Sequence, residues 1–121
     1  MVSLYFLDSS ALVKRYVAEA GSAWIKAMTD PGAYNQLIIA RIAWVEVISA
    51  LARRQREESL TSGDVAQAIQ PFRYDLDMQY QVVEMGVALA DLAGELVIQH
   101  PLRAYDAVQL ASALRVQSIL T

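Results

Sequence analysis

The chain has 121 residues, a formal net charge of −3, 55% hydrophobic residues and no cysteine. That length supports one compact domain with a sizeable core, and not two. The lack of cysteine excludes a disulfide scaffold, a thiolate zinc site and a thiol nucleophile, and the acidic balance argues against coating nucleic acid through bulk charge.

Leu4-Tyr5-Phe6-Leu7 reads as a short strand, and its unbroken apolarity predicts cover on both faces, as in a parallel sheet. Asp8-Ser9-Ser10 then supplies what a helix N-terminus needs, an oxygen for the orphan amides and a negative charge for the dipole. Asp8 is thus expected at the carboxyl end of a buried strand, the edge where open α/β sheets bind ligands. Ala11, Leu12, Tyr16 and Val17 recur at helical spacing, and Gly21 is expected to end that helix. A second short helix should start at Ser22 and stop at Asp30-Pro31-Gly32.

Leu37–Ala40 reads as a second buried strand and Ile42–Arg56 as a long helix with a basic end. Thr61-Ser62-Gly63-Asp64 resembles a capping box, and Pro71 should kink or interrupt the helix it opens. Tyr80–Val83 reads as a third strand, Val87–Ile98 and Arg103–Val116 as helices, and Ser118–Thr121 as the start of a fourth strand. Strands separated by helices predict right-handed crossovers. The expected architecture is an α/β three-layer sandwich, a short parallel sheet of about four strands flanked by helices. The longest apolar stretch, Leu37 to Leu51, is broken by Arg41 and Glu46, so no membrane span is expected. The N-terminus lacks a secretory pattern and the missing cysteines suit a reducing compartment, so a cytoplasmic location is expected.

Glu57, Glu58, Asp64, Asp75 and Asp77 lie in polar stretches and read as solvated. Asp8, Glu46 and Asp106 stand instead in apolar surroundings, where a carboxylate must be paired, hydrogen-bonded, protonated or bound to a cation. Each has a plain structural explanation: Asp8 and Asp106 as residues that favour helix N-termini, Glu46 as the partner of Arg53 or Arg41. Gathered at one sheet edge, the three would form an all-oxygen site suited to Mg²⁺ or Mn²⁺, ions that assist phosphodiester hydrolysis.

Leu7-Asp8-Ser9-Ser10-Ala11-Leu12-Val13-Lys14, Val45-Glu46-Val47-Ile48-Ser49-Ala50-Leu51 and Tyr105-Asp106-Ala107-Val108-Gln109-Leu110-Ala111-Ser112-Ala113-Leu114 resemble the three acidic blocks of the PIN domain. They look most like those of the VapC-type ribonuclease toxins of bacterial and archaeal toxin–antitoxin pairs, over residue 4 to the end. The resemblance implies Mg²⁺- or Mn²⁺-dependent endonucleolytic cleavage of RNA, a homodimer and a cognate antitoxin as partner. It implies Asp8 and Asp106 as metal ligands, Glu46 as the third catalytic acid, bound directly or through water, and Ser9 or Ser10 as supports of Asp8 or a water. The family usually adds an acid at the end of a strand after the last helix. Residues 1–121 therefore read as a single domain of this type short of its C-terminal strand and tail.

Two other readings stand beside this one. A scaffold of the same fold that has lost catalysis would serve as a dimeric protein-binding module. An aspartyl-phosphate on Asp8 is weaker, because Ser10 stands where a haloacid-dehalogenase-like strand would want a second Asp. His100 is the only histidine, which excludes two-histidine RNA cleavage within one chain, and no glycine-rich phosphate loop is present. Trp24, Trp44 and the six tyrosines read mostly as core or dimer packing. Lys14, Arg15, Arg53, Arg54 and Arg103 could line a phosphate track or simply be solvated.

Overall fold

The computed structural model describes residues 3–120. β1 (Leu4–Phe6) is followed by α1 (Ser9–Tyr16), α2 (Ser22–Thr29) and a 3-10 turn at Pro31–Ala33. β2 (Gln36–Ala40), α3 (Ile42–Arg56), α4 (Ser62–Met78), β3 (Tyr80–Val83), α5 (Val87–Gln99) and α6 (Ala104–Leu120) complete the order. The strands form a parallel sheet in the order β1-β2-β3, with Phe6 opposite Ile38 and Ile38 opposite Gln81. All strand carboxyl ends therefore point the same way, and α1 and α3 start just beyond the first two of them.

The period-two alternation of β2 divides the core. Leu37 and Ile39 join the apolar cluster of α1, α2, α3 and α4. Ile38 and Ala40, also buried, alternate to the other face, where α6 lies against β2. There α5 and α6 pack together through Leu89, Ala93, Leu96, Ala107 and Ala111. The result is the expected three-layer α/β sandwich. Phe72, fully buried, centres the larger cluster with its ring 5.0 Å from those of Tyr16 and Trp44 and 6.2 Å from that of Tyr80.

Several local expectations are corrected. Ser118–Leu120 continue α6 instead of opening a fourth strand, so the described sheet has three strands; Thr121 lies outside the described residues. Two apolar residues gain little as a strand, whereas each residue added to an existing helix brings a backbone hydrogen bond. α1 ends at Tyr16, before Gly21, because Val17 turns extended, and Ser22 accepts from the Glu19 amide and donates to the Val17 carbonyl. Gly21, at φ +89°, is the residue that turns the chain into α2. α4 runs through Pro71 unbroken: Ala68, Phe72 and Leu76 anchor its buried face, while Pro71 and Gln67, whose carbonyl loses its donor, are exposed to water. The Thr61–Asp64 capping box forms in both directions.

Asp75 is not solvated. It accepts from Tyr16 at 2.7 Å and lies 3.3 Å from Arg15, with both charged side chains largely covered. Tyr80 completes this network, 2.6 Å from the Tyr16 hydroxyl and accepting from Arg15 at 2.8 Å. Burial, reinforced by Tyr80, holds the Tyr16 phenol far above its usual titration range. Trp44 and Tyr80 pack in the core, but Trp24 is 66% exposed. Among the described residues no helix is long and apolar enough to cross a membrane.

Candidate active site

Two open grooves meet at the carboxyl edge of the sheet. One, about 620 Å³, runs beside β1 between α2 and α6 and includes Asp8, Trp24 and Asp106. The other, about 520 Å³, lies between α1, α3 and the start of α6 and includes Glu46, Arg53, Arg103 and Asp106. Ser9, Ser10 and Asp106 line both, so the three sequence-predicted acids flank one junction.

Each acid arrives by a different route. Asp8 follows β1 and caps α1: its Oδ1 accepts from the Ala11 amide at 3.0 Å and the Ser10 hydroxyl at 2.9 Å. Among the described residues nothing donates to its Oδ2. The capping and site readings of Asp8 are thus compatible, because the cap engages Oδ1 alone. Asp106 occupies the first turn of α6, where the helix N-terminus favours a carboxylate. Glu46 lies on α3, one turn beyond the end of β2.

The expected partners of Glu46 are absent. Arg41 turns away to hold Glu84 with two hydrogen bonds, at 2.9 and 2.6 Å, and Arg53 makes no ion pair with Glu46. Glu46 instead accepts from the Gln109 side-chain amide at 2.6 Å. Burial, above all, raises the Glu46 carboxyl above its ordinary value; Gln109 works against this, Asp106 and Asp8 add to it, and the Ser9 hydroxyl opposes it more weakly. Glu46 therefore lies within the electrostatic reach of both other acids. No Lys or Arg among the described residues forms an ion pair with Asp8, Glu46 or Asp106.

An all-carboxylate donor set without a basic partner is the chemistry a hard divalent cation relieves. Among the described residues, though, no three such side chains form a ready-made metal cage. Mg²⁺ does not require one: it keeps several waters and is commonly held by one or two carboxylates together with substrate phosphate. The residues fit an ion bound in that partly hydrated way.

Of the five basic candidates, Arg53 and Arg103 line the groove without an ion-pair partner among the described residues. Arg15 is committed to Tyr80 and Asp75, while Lys14 and Arg54 both bind Glu19, at 3.2 and 2.8 Å. His100 caps α5 with its backbone and lines neither groove. Gln109 escaped the sequence reading. The signal was there: a lone amide in the apolar run Ala107–Ala111, one turn after Asp106 and so on its side of the helix.

Residues 5–120 match the family model of the PIN domain. Ribonuclease VapC45 of Mycobacterium tuberculosis strain CDC 1551 and Ribonuclease VapC49 of strain H37Rv are each 36% identical to the chain over 113 residues, covering 93% of it and 76% of the relative. The fold is also that of a solved structure, the sarcin–ricin-loop-cleaving toxin VapC20 of M. tuberculosis, with a TM-score of 0.68 at 15% identity over 98% of this chain and 84% of that one. The family match over nearly the whole chain and the 36% identity to these relatives show the family: the chain belongs to the PIN-domain family, among the VapC ribonucleases.

Proposed function

We propose that the protein is a metal-dependent endoribonuclease, the toxin of a VapC-type toxin–antitoxin pair, with Asp8, Glu46 and Asp106 as its acidic centre. The observation that carries this reading is the meeting of three carboxylates without a basic partner at one groove junction, in a chain whose relatives are named ribonucleases. When bound, Mg²⁺ or Mn²⁺ would supply charge neutralisation at the scissile phosphate and an activated water.

The chain's own contribution is positioning. Ser10 and the Ala11 amide hold Oδ1 of Asp8, and Oδ2 would be the oxygen offered to the ion. Asp106 would provide the second ligand from the first turn of α6, and Glu46 the third acid, directly or through water. Ser9, shared by both grooves, would orient a water beside Glu46. Arg53 and Arg103 would hold flanking phosphates by charge-assisted hydrogen bonds. The expected partners are RNA, a cognate antitoxin and a second copy of the chain, in the cytoplasm.

The test is cleavage of RNA by the purified protein with Mg²⁺ or Mn²⁺ and with EDTA. Cleavage should require the ion and fall by at least about 100-fold in Asp8→Asn and Asp106→Asn, the loss expected when a positioned catalytic group is removed. Undiminished cleavage by Asp8→Asn would overturn the assignment. A folded protein that never cleaves would instead be the non-catalytic dimeric scaffold.

A further inference from the structure

The geometry assigns Gln109 the role of a positioning residue that fixes the Glu46 carboxylate toward the cation and the substrate phosphate. The assignment rests on the acidic centre proposed above. Gln109 is 8% exposed and reaches from α6 to α3, its Nε2 donating to Glu46 Oε1 at 2.6 Å. It sits one helical turn after Asp106, so a single helix supplies both an acid and the donor that orients another acid.

Its other amide atom makes the case. Among the described residues, the buried Gln109 Oε1 has no hydrogen-bond partner. A buried unsatisfied oxygen costs stability, so a side chain chosen for packing alone would be apolar. Turning the amide over would satisfy nothing: it would set Oε1 against the Glu46 oxygen. Gln109 thus carries a stability cost for one interaction, its bond to Glu46. Groups that orient the ligands of a metal site act in this way, and their loss commonly weakens metal affinity about 10- to 100-fold.

The test is Gln109→Met, which keeps the volume and removes both amide atoms, with Gln109→Leu as a second variant. Thermal unfolding without metal, Mn²⁺ titration by calorimetry and RNA cleavage kinetics are measured for each. The expected result is a Tm without metal that changes little, the bond lost to Glu46 being offset by removal of the unsatisfied oxygen, with Mn²⁺ affinity lowered about 10- to 100-fold, and kcat reduced with KM for RNA little changed. In a Glu46→Gln background, where no carboxylate remains to be oriented, adding Gln109→Met should leave residual Mn²⁺ affinity within roughly twofold. A lower Tm with Mn²⁺ affinity and kcat intact would make Gln109 a packing residue and overturn the assignment. Wild-type protein that binds no Mn²⁺ would remove the acidic centre itself, and the assignment with it.

Discussion

The hydroxyl of Ser10 donates to Oδ1 of Asp8 at 2.9 Å, the same oxygen that accepts the Ala11 amide. One side chain therefore serves both the start of α1 and the groove junction, and two substitutions separate these duties. Asp8→Asn keeps a carbonyl oxygen for the cap and removes the charge. Asp8→Ala removes both. Thermal or denaturant unfolding should show Asp8→Ala destabilised by about 0.5–2 kcal/mol and Asp8→Asn much less, while RNA cleavage is lost in both.

Glu46 yields a pH signature. Burial, with help from Asp106 and Asp8, raises its carboxyl in the folded protein despite the opposing Gln109 and Ser9 bonds. A carboxyl raised on folding retains a proton that the unfolded chain has lost. Its stability penalty is absent below the ordinary carboxylate range, grows as pH rises through the raised value, and is complete above it. Metal-free Glu46→Gln should therefore have a higher Tm than wild type at neutral pH, with the gain disappearing in acid. A gain that persisted unchanged in acid would contradict this origin.

Glu19 behaves oppositely. Burial acts to raise its carboxyl, but the bonds from Lys14 and Arg54 outweigh it and the net shift is downward. The stabilisation is present above the ordinary carboxylate range and fades as pH falls through the lowered value. The group is partly open to solvent, so Glu19→Gln should cost about 1 kcal/mol or less, and less again in high salt. It should also release Lys14 and Arg54 to the groove, tightening RNA binding at low ionic strength.

Much of the fold could be read directly from the pattern of residues. The strands Leu37–Ala40 and Tyr80–Val83, the helix Ile42–Arg56 and the Thr61 capping box carry strong local signals, and all form. The errors lie where tertiary contacts decide. Pro71 is tolerated because Phe72 and its neighbours pin α4, and Ser118–Leu120 extend a helix already nucleated. At the site, the three acids stood out through their apolar surroundings. Their orientation did not, because Gln109 meets Glu46 across 63 residues and no local pattern encodes that bond. The fates of Arg15 and Asp75 were hidden for the same reason, with Arg15 tied to Tyr80 across 65 residues and Asp75 to Tyr16 across 59.

Phe72 supports the whole arrangement. Fully buried between Tyr16, Trp44 and Tyr80, it ties α4 to α1, α3 and β3. Phe72→Ala should cost about 3–5 kcal/mol in equilibrium unfolding. A cost below about 1 kcal/mol would show that the core closes around the cavity more readily than its packing suggests.

The central claim is that acids from β1's end, α3 and α6 share one divalent ion. The most direct measurement is the Tm of the wild-type chain and of Asp8→Asn, Glu46→Gln and Asp106→Asn, with and without saturating Mn²⁺. An ion that binds only the folded form raises Tm. The account predicts a clear rise for wild type, abolished by Asp8→Asn and Asp106→Asn and reduced by Glu46→Gln. A wild-type Tm indifferent to Mn²⁺, or an equal rise in all four proteins, would contradict it.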